Sequence, residues 1–273
     1  MTYIIAEAAL SHMGRMDYAI QLIDDAVDAG CNCVKFQVYK TDELIDIRRD
    51  PARYGEFKER ELPYEAFAIL KGYCKDRKID FLATPHTVSA FEFLEELGVK
   101  QYKVGSGDRG EILELALKTG KKTYVSTGMR DSKQLTDLML ERFEYRNMVF
   151  MHCITQYPVT AENVNLGVLN YFKRCFGEYV PSKYGYSDHF PGTYACELAV
   201  AMGASVIEKH IRLPESEGQD NSCALNAEEL KELVRKIRKI EVMIGSEERI
   251  YSQAERENES WALKGKNGKR PYS

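Results

Sequence analysis

Two short stretches place side chains capable of metal and acid–base chemistry at the ends of what read as neighbouring strands. Tyr184–His189 closes on Ser187, Asp188 and His189, and Ser205–Arg212 closes on Glu208, Lys209, His210 and Arg212. Side chains alternate across a strand, so Ser187 and His189 share one face, as do Glu208, His210 and Arg212. Parallel neighbouring strands would bring both imidazoles to the same end of a sheet, a geometry for holding one divalent metal. Either histidine alone would read as a satisfied core residue. Paired at equivalent strand ends, each beside an acid or hydroxyl on its own face, they favour the metal.

The same parity argument collects further polar residues on the interior surface. Glu7 is in phase with Ile5 and Ala9. Lys35 and Gln37 oppose the apolar face made by Val34, Phe36 and Val38. Lys103 lies within a strand that ends at Ser106, another ends with Ser126, Thr127 and Gly128, and a third with Thr155, Gln156 and Tyr157. Lys209 takes the opposite parity to Glu208 and His210. Buried charges cost several kcal/mol each unless paired, so four charged groups (Glu7, Lys35, Lys103 and Glu208) on one inner surface need a reason. A structural ion-pair network is one. A polyanion site is the other, with two lysines and the hydroxyls of Ser106, Ser126 and Ser187 as donors to a phosphate and a carboxylate. Gly105, Gly107 and Gly128 allow the close backbone approach that phosphate loops use. Phosphate, carboxylate and metal together point to carbon–carbon bond chemistry with a small phosphorylated acid.

These residues need a scaffold of repeated strand–helix units, and eight are legible. The expected strands are Tyr3–Ala9, Cys33–Tyr39, Asp80–Pro85, Gln101–Ser106, Lys122–Gly128, Met148–Thr155, Tyr184–His189 and Ser205–Arg212. Between them run apolar stripes of helical period, such as Ala19, Leu22, Ile23, Ala26 and Val27. The expected fold is an α/β (β/α)8 barrel over residues 1–245, with its active site at the C-terminal ends of the strands. A doubly wound open sheet is disfavoured, because no G-x-G-x-x-G follows the first strand. The charged excursion Lys40–Leu62 would lie over the barrel mouth as a lid. Residues 246–273 read as a polar tail that packs through Tyr251 and Trp261 and then frays, not as a second domain.

Bulk properties exclude several classes. A net charge of −4 carries no basic signal for nucleic acid or membrane surface. No apolar run approaches the roughly 18–20 residues of a membrane span. The N-terminus flows directly into a strand without a basic signal region, and the seven cysteines form no C-x-x-C pair. Reduced thiols in a cytoplasmic protein are expected.

The segments IIAEAALSHMG, AGCNCVKFQ, FLATP, YKVGSGD, VSTGM, CITQYP, YSDH, GASVIEKHIRL and GQD occur in that order over about residues 3–245. Together they resemble the sialic acid synthase family, the phosphoenolpyruvate-dependent N-acetylneuraminate synthases and their relatives. The resemblance implies condensation of phosphoenolpyruvate with an N-acetylated aminohexose, N-acetylmannosamine-like, in its open-chain aldehyde form. The products would be a nine-carbon 2-keto acid (a nonulosonate) and phosphate. It implies that His189 and His210 ligate a divalent ion, Mn2+ first, with Mg2+ or Co2+ as alternatives. Lys35, Thr84, Lys103, Ser106, Ser126 and Ser187 match phosphoenolpyruvate contacts, and Glu7 the catalytic carboxylate that positions or activates the attacking water. Gln37, Asp108, Tyr157 and Asp220 match positions facing the sugar, with Glu208 beside them. Departures at Ala9 and Ser11, Thr155 and Gln156, Phe190 and Arg212 cluster on the sugar side. Family members form homodimers and continue into a small antifreeze-like domain that offers an arginine to the partner's sugar site. This chain ends where that domain would begin. Arg212 in cis, or a separate polypeptide carrying the domain, is expected to replace it. A phosphoenolpyruvate synthase for a different aldose or aldose phosphate, and a non-catalytic barrel subunit, are the alternative readings.

Overall fold

The computed structural model describes residues 1–108, 110–141, 147–176 and 184–270. All eight expected strands are present: β1 Tyr3–Ala9, β2 Cys33–Val38, β3 Asp80–Pro85, β4 Gln101–Val104, β5 Lys122–Ser126, β6 Met148–Cys153, β7 Tyr184–Asp188 and β8 Val206–His210. Each pairs in parallel with the next, and β1 closes on β8. The sheet is therefore the expected (β/α)8 barrel. The helices are α1 Met16–Ala29, α2 Thr41–Leu44, α3 Pro51–Arg60, α4 Tyr64–Asp76, α5 Val88–Glu96, α6 Glu111–Lys118, α7 Ser132–Glu141, α8 Ala161–Val164, α9 Gly167–Phe176, α10 Tyr194–Ala201, α11 Ala227–Ile244, α12 Gln253–Glu257 and α13 Glu259–Ala262.

Strand parity separates two cores. Val34, Phe36 and Val38 point outward into the layer between sheet and helices, where Ala19, Leu22, Ile23 and Ala26 of α1 meet them. Ile5, Cys33, Leu82, Tyr124, Val149, Met151 and Val206 point inward and plug the lower barrel. Gly185 of β7 belongs to that inner layer. A Cβ there would stand 2.5 Å from the Val206 carbonyl oxygen and 2.6 Å from Met151 Sδ. Overpacking of this kind costs about 1–3 kcal/mol, so Gly185→Ala is expected to lower the melting temperature by about 2–10 °C. An unchanged transition in a thermal melt would contradict that packing.

Six strands stop one or two residues short of their expected C-terminal ends. Alternation marks which face a residue takes, but it carries no signal for the last ladder hydrogen bond. Ser106, Thr127, Gly128, Thr155 and His189 therefore sit in the turns just beyond the sheet. The charged excursion after β2 is also not an irregular loop. It folds into α2 and α3, and α3 begins with Asp50, whose side chain accepts from Arg53 N at 3.0 Å, followed by Pro51 in the first turn. Lys58 and Arg60 complement its C-terminal end.

The chain divides into two compact units, Met1–Glu241 and Val242–Ser273, the division falling inside α11. The second contains α12, opened by a Ser252/Glu255 capping box, and α13. Within it Trp261 Nε1 donates to Asn258 Oδ1 at 2.8 Å, and Trp261 and Tyr251 remain 60% and 46% exposed. Residues 271–273 of the expected tail lie outside the described residues.

Candidate active site

The inward residues of the upper barrel converge on one cavity of about 790 Å3. Register explains the assembly: Glu7 pairs with Lys35 and with His210, and Ser187 pairs with Glu208. At the centre lies a buried four-charge cluster. Lys35 Nζ is 3.1 Å from Glu7 Oε2 and 3.4 Å from Glu208 Oε1, and Lys103 Nζ is 3.4 Å from Glu208 Oε1. Hydroxyls complete it. Lys35 Nζ donates to Thr84 Oγ1 at 3.2 Å, Lys103 Nζ to Ser126 Oγ at 2.6 Å, and Ser187 Oγ to Glu208 Oε1 at 2.9 Å.

The two carboxylates are driven apart. Burial, reinforced by the neighbouring Glu208, raises Glu7 above the usual carboxylate range despite Lys35. Burial also opposes the Glu208 charge, but Lys103, Lys35 and the Ser187 hydroxyl outweigh it and hold Glu208 low. One carboxyl is thus poised to exchange a proton while the other stays ionised, the usual division of labour between paired acids. Gln37 Nε2 donates to Glu7 Oε1 at 3.2 Å, and Gln37 Oε1 lies 3.3 Å from His86 Nε2. The imidazole thereby orients the amide toward Glu7. Burial and the two lysines push His86 down to about 4.

The two histidines meet in the same cavity, ring centroids 5.3 Å apart, with Tyr157 tilted against His189 at 4.0 Å and edge-on to His210 at 6.0 Å. His189 Nδ1 donates to the Ile154 carbonyl at 2.6 Å, a contact that sets the tautomer and leaves Nε2 as the lone-pair nitrogen. His210 Nδ1 is buried without a hydrogen-bond partner, 3.6 Å from Asp220 Oδ2. A buried imidazole nitrogen without a partner, beside a second imidazole of fixed tautomer, fits a divalent cation. Among the described residues no third His, Cys, Asp or Glu joins them into a metal-holding group.

Every residue expected at the site lines this cavity except Arg212. β8 ends at His210, and the chain then leaves the barrel. Leu225 N donates to the His210 carbonyl and Arg212 N to the Leu225 carbonyl, so Arg212 lies on a side ladder rather than on the inner face. The expectation that Arg212 points inward is therefore corrected. Asp108 lines the cavity, but its carboxylate accepts from the backbone N–H groups of Gly110, Ile112 and Leu113 at the start of α6. It acts there as a helix cap.

Several lining residues were not anticipated. Arg53, Glu56, Phe57 and Arg60 come from α3, so the charged excursion does sit at the mouth. Its Asp-Pro start was the overlooked signal. Cys153 is in phase with Val149 and Met151 and could have been found by parity. Its Sγ lies 3.9 Å from His189 Nδ1 and accepts from Ser106 Oγ at 3.5 Å. His86 follows Pro85 directly at the end of β3.

A model of the NeuB family matches residues 22–249. The chain belongs to the NeuB family. It is 33% identical to the N,N'-diacetyllegionaminic acid synthase of Campylobacter jejuni over 94% of this chain and 81% of that protein. To the N-acetylneuraminate-9-phosphate synthase of Homo sapiens it is 34% identical over 89% of this chain and 71% of that protein. Among solved structures, the N-acetylneuraminic acid synthetase of Leptospira borgpetersenii superposes with a TM-score of 0.85 at 29% identity, covering 94% of this chain and 90% of that one. As a NeuB-family synthase the protein is a transferase that forms a carbon–carbon bond. Among the described residues no helix is long and apolar enough to cross a membrane.

Proposed function

We propose that the protein condenses phosphoenolpyruvate with the open-chain aldehyde of an N-acetylated aminohexose, giving a sialic-acid-like nonulosonate and phosphate. The observation that carries this reading is the placement of Lys35 and Lys103, with their hydroxyl partners, in the same cavity as the paired His189 and His210. Lysine ammonium groups and serine and threonine hydroxyls at the floor suit the phosphate and carboxylate of phosphoenolpyruvate. Thr84, Ser106 and Ser126 extend that donor set. Gln37, Tyr157 and Asp220 face the remaining volume and suit the hydroxyls and amide of the sugar.

His189 and His210 would hold a divalent cation, Mn2+ in our reading. When bound it supplies Lewis-acid polarisation of the aldehyde oxygen. The chain's own residues do the rest. Lys35 and Lys103 orient phosphoenolpyruvate and offset its charge. Glu7, set by Gln37 and Lys35, takes the proton from the water that attacks C2. Glu208 stays ionised and keeps both lysines charged. The arrangement is fixed before substrate arrives, which makes electrostatic preorganisation the main source of rate. The seven cysteines are free thiols, which fits a reducing, cytoplasmic setting. By kinship we also assign a homodimer.

Arg212 lies off the inner face, and among the described residues the arginines that line the mouth, Arg53 and Arg60, come from α3. Arg53 is exposed and borders the cavity. Arg53→Ala is expected to raise the Michaelis constant for the sugar about 5–10-fold, in line with the loss of one solvent-exposed hydrogen bond of about 1 kcal/mol. The constant for phosphoenolpyruvate should stay within about twofold. Steady-state kinetics with each substrate varied in turn checks this, and equal rises in both constants would contradict it. The reaction class itself is tested by phosphate release from phosphoenolpyruvate with Mn2+ and a panel of aminohexoses.

A further inference from the structure

Behind the two histidines, on the outer face of the sheet, lies an ion pair with no exposure at all. Asp188 of β7 and Lys209 of β8 are register partners, and Lys209 Nζ stands 2.8 Å from Asp188 Oδ2. Both side chains are 0% exposed. The Asp188 carboxylate also accepts from Tyr186 Oη at 2.7 Å, from Phe190 N at 2.7 Å and from Cys196 Sγ of α10 at 3.1 Å. Lys209 Nζ reaches on to donate to the Phe190 carbonyl.

A fully buried ion pair is a poor source of stability, since desolvation offsets most of its attraction and an apolar pair of like volume does as well. Its position suggests what else it does. Asp188 immediately precedes His189, Phe190 immediately follows it, and Lys209 immediately precedes His210. Lys209 therefore grips both peptide neighbours of one histidine from the strand residue beside the other. Adjacent strand side chains point to opposite faces, so pinning the outward residue fixes the backbone from which the inward imidazole projects. His189 is anchored on its other sides by Nδ1 donating to Ile154 O and by its own carbonyl accepting from Val159 N at 2.9 Å. Lys209 thus ties the residues on both sides of His189 to the His210 strand on the outer face, as the Ser187–Glu208 hydrogen bond ties β7 to β8 on the inner face.

We propose that Asp188 and Lys209 are positioning residues that set the separation and aim of His189 and His210, and so the affinity of the site for a divalent cation. This rests on the metal role of the two histidines proposed above. Outer partners of metal ligands are worth about 10–100-fold in affinity.

The experiment is calorimetric titration of the metal-free, full-length protein with Mn2+, alongside its thermal melt. Lys209→Met removes the tie but leaves a buried carboxylate. Asp188→Asn/Lys209→Met removes both charges together and so leaves no unpaired charge buried. Leu230→Ala, which loosens the buried face of α11, is the control for general destabilisation. We expect Mn2+ to bind the double variant at least about tenfold more weakly than wild type while its melting temperature stays close to wild type. Leu230→Ala should melt lower yet bind Mn2+ within about twofold of wild type. Wild-type affinity in the double variant would overturn the positioning role and leave the metal site standing. A wild-type protein that binds no Mn2+ would overturn the metal reading, and the positioning role with it.

Discussion

Glu7→Gln is expected to reduce kcat by about 10²–10⁴-fold, the range for loss of a general base, without raising the Michaelis constant for phosphoenolpyruvate. The substitution keeps the shape of the side chain, and Gln37 can still contact it. Lys35 retains Glu208 at 3.4 Å and Thr84 Oγ1 at 3.2 Å, so the anion site keeps its charge. What is lost is the carboxyl of the buried cluster that burial has lifted above its usual range while its neighbour Glu208 is held low. The sign of the accompanying pH effect follows. A base works ionised, so wild-type turnover should climb with pH through the raised Glu7 titration. That ascending limb should be missing in the variant. A drop of less than about tenfold, or a loss confined to the Michaelis constant, would remove Glu7 from the chemical step.

Lys103→Met is expected to lower kcat/KM for phosphoenolpyruvate by about 10³-fold, equivalent to about 4 kcal/mol, the scale for truncating one member of a buried, hydrogen-bonded charge pair. Lys103 Nζ touches Ser126 Oγ at 2.6 Å and Glu208 Oε1 at 3.4 Å, and it is buried to 2% exposure. Methionine fills the stem's volume and supplies no donor. Glu208 then keeps only Lys35 and Ser187, so the cluster changes from balanced to net negative, the wrong sign for a phosphate and a carboxylate. Lys103→Arg should not rescue the loss, because a planar fork cannot take the place of a compact ammonium held between Ser126 and Glu208. A variant that melts lower but binds phosphoenolpyruvate normally would make Lys103 a structural lysine. Thermal melts and kinetics on the same preparation separate these outcomes.

Both predictions depend on residues that strand parity brought together from the sequence. Period-two alternation separated Lys35 and Gln37 from Val34, Phe36 and Val38, and the same rule put Glu208 and His210 inward and Lys209 outward. What parity could not supply was where each ladder stops. Extending β8 by two residues turned Arg212 inward on paper, whereas Leu225 takes over the pairing beyond His210 and carries Arg212 off the inner face. Polar type was a second source of error. Asp108 was legible as a carboxylate near the mouth but not as the cap of α6, which depends on the backbone N–H groups two, four and five residues further on being turned toward it. The excursion after β2 hid α3 behind its charge, although Asp50–Pro51 is a helix start. The Asp188–Lys209 pair was visible only as two residues of opposite parity to the site, because its burial is created by α10 covering that face.

In the proposed function the lysine floor and the histidine pair serve one reaction. The most direct measurement is phosphate release from phosphoenolpyruvate with Mn2+ present or absent. The acceptors would be N-acetylmannosamine, its 6-phosphate and the diacetamido-trideoxyhexoses, each alone. Release that requires both Mn2+ and one of these sugars is the predicted result, and the sugar that supports it identifies the acceptor. Release without any sugar, or no release with any of them from protein that binds Mn2+, would contradict the proposed condensation.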